Sequence, residues 1–366
     1  MKPETEADLA NIVADLNQPV RLVGGGTRGI IGSEQVLSIA GLSGVSLYEP
    51  GALTLVAKAG TPVSEIEAVL AAEGQQLAFE PMDHRGLMGT DGDPTIGGVV
   101  AANVSGPRRI QAGACRDYLL GVRYVDGLGQ VIKNGGRVMK NVTGYDLVKL
   151  MAGSWGTLGV LSEVSLKVLP KSESIAALAV QVGSVAQAVQ TLSAALKSPF
   201  EVSGAAYNPA AGHVLLRLEG FADSVAYRVD RLKAELAGFG EISEIEDGET
   251  LWRSVRDVSM FSDVEGDVWR ISVKPGAASE IAARLEAEKL LLDWGGGLIW
   301  ALVPEGSDVR TRLGAFEGHA SLVRADAETV QALGRFQPEA AGVAALSQGL
   351  RQRFDPNGIF NPGLMG

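Results

Sequence analysis

Short apolar runs separated by glycine- and proline-rich turns fill the first half of the chain. Apolar residues recur at helical spacing from Leu9 to Leu16. The predicted helix begins at Thr5 or Glu6 and ends at Asn17. Strands are predicted at residues 20–23, 36–39, 53–59, 78–80, 119–125, 130–132 and 160–169, and further helices at 63–72, from about residue 95, and at 145–151.

A polar break at residues 170–174 precedes a more regular second half. Strand 175–182, helix 184–197, strands 202–207 and 214–219, helix 224–237 and strand 241–246 follow the β-α-β-β-α-β order of a ferredoxin-like unit. Strands 268–273, 298–303 and 320–324, with helices 278–289 and 308–316, predict a loose repeat of that unit. We therefore predict an α+β protein with a first domain at 1–171, an α+β cap or substrate domain at 172–353, and a tail at 354–366 that returns toward the first domain.

Composition narrows the class of protein. The 366 residues are 46% hydrophobic and 20% charged, which is typical of globular chains and excludes disorder for most of the sequence. Acidic residues exceed basic ones by 43 to 32, for a formal net charge of -11. Because nucleic acids and anionic membrane surfaces attract basic faces, we expect neither as a partner.

The cysteine and histidine content limits the metal and redox chemistry. Cys115 is the single cysteine, so the chain forms no internal disulfide and holds no iron–sulfur cluster, which needs about four thiolates. The three histidines have no metal-binding spacing, so no metal site is predicted. The sequence shows neither a transmembrane segment nor a secretory signal. We expect a cytoplasmic protein that reaches the inner membrane, if at all, through partner subunits.

The loop at residues 24–29 satisfies the GxGxxG pattern of dinucleotide-binding proteins. In a Rossmann fold this pattern opens a helix, but residues 30–45 contain three glycines and a strand-like run. Glycine costs a helix interior about 1 kcal/mol per position, so a nicotinamide-dependent Rossmann enzyme is disfavoured. This loop can bind an anion such as pyrophosphate through converging backbone N–H groups, the Thr27 hydroxyl and the charge of Arg28. The alternative is a tight turn between strands.

Two further segments in the first half concentrate small residues. Residues 95–98 lead into a stretch with Asn103 and Ser105, and residues 153–160 form the other segment. Three such segments in one domain predict a site for a flat ligand that carries a pyrophosphate. The predicted cofactor-binding residues are Gly24, Gly25, Gly26, Thr27, Arg28, Gly29, Thr95, Gly97, Gly98, Asn103, Ser105, Gly106, Gly153, Gly156, Thr157, Gly159 and Val160.

Together these segments resemble the FAD-binding domain of the vanillyl-alcohol-oxidase type, the PCMH-type flavoprotein family. The resemblance implies a PCMH-type FAD-binding domain followed by a ferredoxin-like α+β cap domain. It places the FAD pyrophosphate on residues 24–29 and the ring near residues 153–159. Some members attach FAD to a histidine of the first loop; this loop has none, so we expect non-covalent FAD.

Within that family, residues 137–146 and 318–324 resemble the E-type FAD-binding subunits of bacterial glycolate oxidases, and residues 355–363 resemble the closing segment of FAD-linked hydroxyacid oxidases. The likeness implies a complex with a larger FAD-containing subunit and an iron–sulfur subunit that oxidises glycolate, a small 2-hydroxy acid, to glyoxylate. Other members carry a Gly-His-x-Gly-Asp-Gly-Asn metal and substrate segment. The analogous residues 318–322 lack the acid and the second histidine, which argues against metal-assisted oxidation on this chain.

Oxidising a 2-hydroxy acid at a flavin requires a base for the hydroxyl proton and a cation for the carboxylate. His319 is the candidate base, and Arg256 and Arg324 are the candidate cations; a structural histidine and solvated arginines are the alternatives. Arg108 and Arg109 either offset phosphate or flavin charge or lie on the surface. Two other functions stay open: a self-sufficient FAD-dependent 2-hydroxyacid dehydrogenase, and a non-catalytic structural subunit of the complex.

Overall fold

The computed structural model describes residues 1–137 and 144–365. In the first half, the strands are β1 Arg21–Val23, β2 Val36–Ser38, β3 Val45–Glu49, β4 Thr54–Lys58, β5 Gln75–Gln76, β6 Leu119–Val125, β7 Val131–Gly135, β8 Val160–Lys167 and β9 Leu169–Pro170. Strands β1 and β2 pair in parallel, and a larger antiparallel sheet has the strand order β3-β4-β8-β6-β7. The helices are α1 Glu6–Ala14, α2 Val63–Ala72, α3 Arg85–Met88, α4 Ile96–Ala101, α5 Arg109–Ala112 and α6 Leu147–Met151.

Most elements of the first half lie where the apolar pattern predicts them. Helix α1 begins after Thr5, whose hydroxyl accepts from the Asp8 N–H while the Asp8 carboxylate accepts from the Thr5 N–H. The pattern does not predict β3, because its short apolar alternation lies between glycine-containing turns. The prediction of a strand at 78–80 is wrong: the chain turns there, and the strand lies at β5, which pairs with β9.

No helix connects β1 to β2 among the described residues 24–35; the chain runs as an irregular loop. This confirms the prediction that the glycine pattern does not open a Rossmann crossover helix. The loop returns directly to β2, which pairs with β1 from Arg21–Val36 to Val23–Ser38. The glycines are therefore free to line a cavity rather than to start a helix.

The second half has the strands β10 Ser174–Gln181, β11 Gly204–Asn208, β12 His213–Gly220, β13 Ile242–Ile245, β14 Asp267–Val273, β15 Lys289–Asp293, β16 Leu298–Val303 and β17 Gly318–Arg324. They form one sheet with the strand order β13-β10-β12-β11-β15-β16-β14-β17. Its helices are α7 Val185–Lys197, α8 Ala222–Leu236, α9 Gly248–Arg256, α10 Ala278–Leu285, α11 Val309–Leu313, α12 Ala327–Leu333 and α13 Ala341–Phe354.

This sheet consists of two ferredoxin-like units with the same internal strand order, joined where Tyr207 of β11 pairs with Leu292 of β15. The predicted repeat is thus confirmed. The pattern does not predict β15, because its apolar run follows α10 closely and the predicted helix extends to residue 289. The helix instead ends at Leu285, since Glu286 adopts a φ of +48°.

The two faces of this sheet have different surroundings. Trp269 and Ile271 face a core formed with helices such as α7, α8 and α10. The opposite face carries Trp300 and packs with Met82 and Leu87 of the first half. Residues of the second sheet therefore meet the first half directly.

The tail joins the first half as well. Phe360 pairs in parallel with Val20, and Ile359 and Phe360 lie in the core of the first sheet. Among the described residues, none of the helices has both the length and the apolar character needed to cross a membrane.

Candidate functional site

The loop at residues 24–29 lines an open cavity of about 900 Å³ beside β1. A Cβ atom on Gly24 would overlap the Thr95 hydroxyl, and one on Gly25 would overlap the Asp93 carbonyl oxygen. Only glycine lets this loop pack so closely on the segment before α4. The first two small-residue segments thus lie side by side because Gly24 and Gly25 have no side chain at the contact.

Helix α4 brings the second segment to the same cavity. The Thr95 hydroxyl accepts from the Gly98 N–H at 3.4 Å and caps the helix. The Gly97 N–H donates to the Ala59 carbonyl at 2.7 Å, and a Cβ on Gly97 would overlap Ala59. Glycine at 97 therefore fixes α4 against the end of β4.

The third segment closes the cavity from another side, and the tail holds it there. Asn361 Oδ1 accepts from the Leu22 N–H at 2.8 Å, while Asn361 Nδ2 donates to the Trp155 carbonyl at 2.8 Å. Gly156, with a φ of +73°, packs against Leu22. Asn361 is not among the residues predicted for the site, although it lies in a motif that carries part of the resemblance.

Twelve of the predicted cofactor-binding residues line this cavity. They are Gly24, Gly25, Gly26, Thr27, Arg28, Gly29, Thr95, Gly97, Gly98, Gly156, Gly159 and Val160.

The other five predicted residues, Asn103, Ser105, Gly106, Gly153 and Thr157, lie outside the cavity lining. Their polar groups bind within the protein: Asn103 Oδ1 accepts from the Arg116 N–H and Ser105 Oγ from the Cys115 N–H, each at 3.0 Å. Thr157 Oγ1 donates to the Ser154 carbonyl at 2.7 Å, and the Gly153 N–H donates to the Val100 carbonyl at 3.2 Å. These contacts position the segments that flank the cavity.

Arg28 supplies a buried positive charge in the cavity wall. Its Nη1 donates to the Gly98 carbonyl at 2.7 Å, and its guanidinium lies 5.8 Å from the Trp155 ring centroid. Its Nε is buried and has no hydrogen-bond partner among the described residues. Burial lowers the pKa of Arg28 to about 10, so the side chain remains charged at neutral pH. An unsatisfied buried N–H on a cation suits an anionic ligand such as a diphosphate, so the residues present fit FAD.

The second half also reaches this loop. Arg335 Nη2 donates to the Gly29 carbonyl at 2.7 Å, and the Phe336 ring contacts the Trp155 ring at a centroid distance of 5.2 Å. The cavity therefore depends on both halves of the chain.

The predicted cations of catalysis have partners within the protein. Arg324 donates to the carbonyls of Leu87 and Phe261, each at 2.9 Å, and to two further carbonyls at 264 and 266. Arg256 forms a bidentate pair with Asp257 at 2.8 Å for both bonds. Neither guanidinium has its planar fork free for a substrate carboxylate.

His319, the predicted base, has an exposed side chain on β17. It pairs with Ser272 of β14. Partial burial and the charge of Arg270 lower its pKa. No hydrogen bond or ion pair joins His319, Arg256 and Arg324 to one another within the described part of the chain, so their joint catalytic role stays a prediction.

A different histidine, His84, is influenced by the charge of the cavity residue Arg28. His84 Nδ1 is 3.2 Å from the Met82 carbonyl, which identifies Nδ1 as the donor and leaves Nε2 as an acceptor. Burial, then the charge of Arg28, lower the pKa of His84 to about 3, and Arg270 contributes in the same direction. His84 is thus a neutral imidazole that two arginines influence, one from the cavity wall and one from the second sheet. No motif surrounds it, so no sequence signal could have identified it.

Two arginines meet at Trp294, between the two halves. The guanidinium carbon of Arg109 lies 4.7 Å from the indole centroid and that of Arg270 lies 5.0 Å from it. Trp294 Nε1 donates to the Gly106 carbonyl at 3.0 Å, which anchors the indole to the first half. Burial and the nearby Arg109 lower the pKa of Arg270 to about 10.

Arg108 has a different environment from Arg109. Its guanidinium lies 2.6 Å from Glu219 and 3.5 Å from Glu80, and Arg217 binds the same two carboxylates at 3.2 and 2.8 Å. This buried cluster, Glu80–Arg108–Arg217–Glu219, joins the first half to β12. Arg108 therefore balances carboxylates of its own chain, which leaves its predicted role toward phosphate without support.

Several known proteins are similar to this chain. A family model described as an FAD binding domain matches residues 1–135. The glycolate oxidase subunit GlcE of Escherichia coli (strain K12) is 35% identical over 352 residues, which cover 95% of this chain and 92% of that protein. The glycolate oxidase subunit GlcD of Bacillus subtilis (strain 168) is 33% identical over 159 residues, 43% of this chain and 30% of that protein.

The solved structures agree on the fold. A structure of alkyldihydroxyacetonephosphate synthase superposes with a TM-score of 0.69, at 15% identity, over 99% of this chain and 76% of that one. The predicted α+β fold is thereby confirmed. The residues at 137–146 that carry part of the resemblance fall partly outside the described residues, since 138–143 are not described.

Proposed function

We propose that this chain, which belongs to the FAD-binding family of the glycolate oxidase subunit GlcE, is an FAD-carrying subunit of a complex that oxidises glycolate to glyoxylate. FAD, when bound, supplies the acceptor for the hydride that leaves the alcohol carbon. The chain is an FAD-linked oxidoreductase subunit. We propose that its substrate is glycolate and that it depends on a complex.

The observation that carries the proposal is the cavity in which three glycine-rich segments surround Arg28. The close packing of residues 24–29 leaves backbone N–H groups near the cavity, and Arg28 adds a buried charge with a free Nε–H. These groups would hold the diphosphate of FAD. The indole of Trp155 and the small residues of the third segment form an adjoining wall.

We further propose that FAD is held without a covalent bond. The loop at 24–29 has no histidine. Cys115 is fully buried, and its burial raises the pKa of the thiol, so the thiolate needed for attack is suppressed. The chain thus offers no activated nucleophile in the segments that line the cavity.

The partners proposed are a larger FAD-containing subunit and an iron–sulfur subunit. The relative named GlcD belongs to the same enzyme by its name and matches less than half of this chain. A chain with one buried cysteine cannot hold a cluster of its own, so electrons that leave its flavin require a cluster on another chain. Any attachment to the inner membrane would be peripheral and would come through these partners.

A second candidate, a self-sufficient FAD-dependent 2-hydroxyacid dehydrogenase, is favoured by one observation. Arg109 and Arg270 lie between the two halves without a hydrogen-bond or ion-pair partner among the described residues, so the chain itself offers cations to an acid. A third candidate, a structural subunit without catalysis, accords with the internal partners of Arg256 and Arg324.

Anaerobic reduction separates these functions. Glycolate, and in parallel D-lactate, is added to the isolated FAD-loaded chain and to the chain co-purified with the larger FAD-containing and iron–sulfur subunits. The proposal predicts that flavin absorbance is lost in the complex and kept in the isolated chain. Loss in the isolated chain supports the self-sufficient enzyme, and removal of this chain's FAD without any effect on turnover supports the structural subunit.

A further inference from the structure

Arg270 lies on the face of the second sheet that meets the first half. It pairs with Trp300 of β16 and with Ser321 of β17, so it shares a face with both. The neighbours Trp269 and Ile271 point to the opposite face, into the helix-covered core. Trp300 belongs to the core that includes Met82 and Leu87. Arg270 therefore projects toward the FAD-binding half.

The first half presents Arg109 to the same place. Both guanidiniums lie over the ring of Trp294, at 4.7 and 5.0 Å, and Arg270 also lies 5.9 Å from the ring of Trp300. Two like charges on one indole repel each other, and Arg109 accordingly lowers the pKa of Arg270. A negative charge bound between Arg109 and Arg270 would offset this repulsion.

The protein supplies part of that charge: the exposed Asp117 acts on Arg109, but it also lies 3.9 Å from both Arg116 and Lys149. Neither Arg109 nor Arg270 has a hydrogen-bond or ion-pair partner in the part of the chain that the structure describes. The acid that acts on Arg270 is Asp293, whose own pKa burial raises to about 7, so it carries only part of a charge at neutral pH. Other arginines at this interface, such as Arg108 and Arg217, are matched by carboxylates.

Arg270 and the cavity residue Arg28 influence the same histidine. The charge of Arg270 acts on His84, and so does the charge of the cavity residue Arg28. His84 is neutral and half-buried, and its Nε2 is free to accept a hydrogen bond. A ligand on Arg270 would therefore lie within the electrostatic influence of His84, as the cavity residue Arg28 does.

We infer that Arg109 and Arg270, held on Trp294, form a binding site for the carboxylate of a small 2-hydroxy or 2-oxo acid on this chain. The inference rests on the proposed function, because that function defines the acid. Arginine suits the role because its planar fork binds a carboxylate with two hydrogen bonds, and the aromatic ring fixes the guanidinium without using those donors. The sequence-predicted pair Arg256 and Arg324 is replaced in this role by Arg109 and Arg270.

The test uses the FAD-loaded isolated chain and oxalate, a dicarboxylate that cannot be oxidised as an alcohol. Binding is measured by calorimetry and by the shift of the flavin spectrum, with glycolamide as the uncharged comparison. We expect oxalate to bind and glycolamide not to bind. Arg270→Gln and Arg109→Gln should each weaken oxalate binding at least tenfold, whereas Arg253→Gln, an exposed arginine paired with Glu249, should leave it unchanged.

Three outcomes overturn the inference. They are no oxalate binding by the FAD-loaded chain, oxalate affinity unchanged in both variants, and loss of FAD in the Arg270→Gln and Arg109→Gln variants, which would assign these arginines to the cofactor. Because removing an unpaired cation relieves repulsion, both variants should fold, and their unfolding temperature is measured alongside. Failure of the proposed function would appear differently, as a chain that never binds FAD.

Discussion

Arg217 Nη1 lies 2.8 Å from Glu80 Oε1 across the junction between the two halves of the molecule. Glu80 comes from the FAD-binding half and Arg217 from β12, and the side chains are 16% and 3% exposed. Opposing charges from Arg108 and Arg217 keep the pKa of Glu80 below its ordinary value despite burial. The pair is therefore ionised and holds the two halves in register.

Removing one member of this buried cluster should be costly. Glu80→Gln leaves Arg217 and Arg108 facing a neutral amide, and we expect the free energy of unfolding in urea to fall by about 3–5 kcal/mol. The double variant Glu80→Leu/Arg217→Leu keeps the Arg108–Glu219 pair at 2.6 Å and should lie closer to the wild type. A Glu80→Gln loss below about 0.5 kcal/mol, the range of ordinary surface changes, would contradict this.

Arg28→Gln should lower the affinity for FAD without lowering the stability of the apoprotein. The variant loses a buried cation whose Nε has no partner among the described residues, so the apoprotein should be at least as stable as the wild type. FAD affinity should fall by a factor of about 10 to 100, the effect of one charged hydrogen bond. FAD titration followed by flavin fluorescence measures this, with exposed Arg231→Gln as the control. Equal FAD affinity of Arg28→Gln and the control would show that Arg28 does not contact the cofactor.

Gly25→Ala should disrupt the first loop. The added methyl group would overlap the Asp93 carbonyl, so the loop must leave the segment before α4. We expect a lower unfolding temperature and loss of FAD uptake. Gly349→Ala is the matched control, because nothing lies within 4 Å of that position in α13, and it should stabilise the helix by up to about 1 kcal/mol. A Gly25→Ala protein that unfolds at the wild-type temperature and takes up FAD normally would refute the packing argument.

The buried carboxyl group of Asp293 should make the folded protein less stable as the pH rises. Burial raises the pKa of its carboxyl to about 7 in the folded state, against an ordinary value of 3.8. Between these values the folded chain retains a proton that the unfolded chain releases, so stability falls as pH rises from about 4 to 7.

Asp293→Asn should remove this dependence. The variant should match the wild type at pH 4 and exceed its free energy of unfolding at pH 8 by about 4 kcal/mol, the full difference between the two pKa values. The side-chain amide oxygen introduced by Asp293→Asn can still accept from the Trp294 N–H, as the carboxylate does at 2.7 Å. Urea denaturation at both pH values measures the difference. A variant that is less stable than the wild type at pH 8 would indicate an ionised, stabilising Asp293.

The cavity could be predicted from the sequence because its signal is local. Each of the three segments is a run of small residues, and the close approaches at Gly25 and Gly97 require the absence of a side chain. The regular second half is predictable for a similar reason, since amphipathic helices and buried strands alternate there. The hydrophobic pattern does not predict strands β3 and β15. Turns flank β3 and a helix end precedes β15, which obscures the alternation of apolar residues.

The charged groups between the halves could not be predicted in the same way. Arg109, Arg270 and Trp294 are far apart in the sequence and meet only because the second sheet turns one face to the first half. His84 has no motif, and its neutrality arises from burial and from arginines of distant segments. Conversely, Arg324 lies in a motif, yet its donors serve backbone carbonyls that hold the interface.

The proposal that the three glycine-rich segments bind FAD is tested most directly by the absorbance spectrum of the purified chain. We expect a flavin spectrum, either as isolated or after incubation with FAD, and complete release of the yellow colour into the supernatant on acid precipitation. A chain that carries no flavin and takes up none would contradict the assignment of the cavity to FAD. A flavin that stays with the precipitate would contradict non-covalent binding.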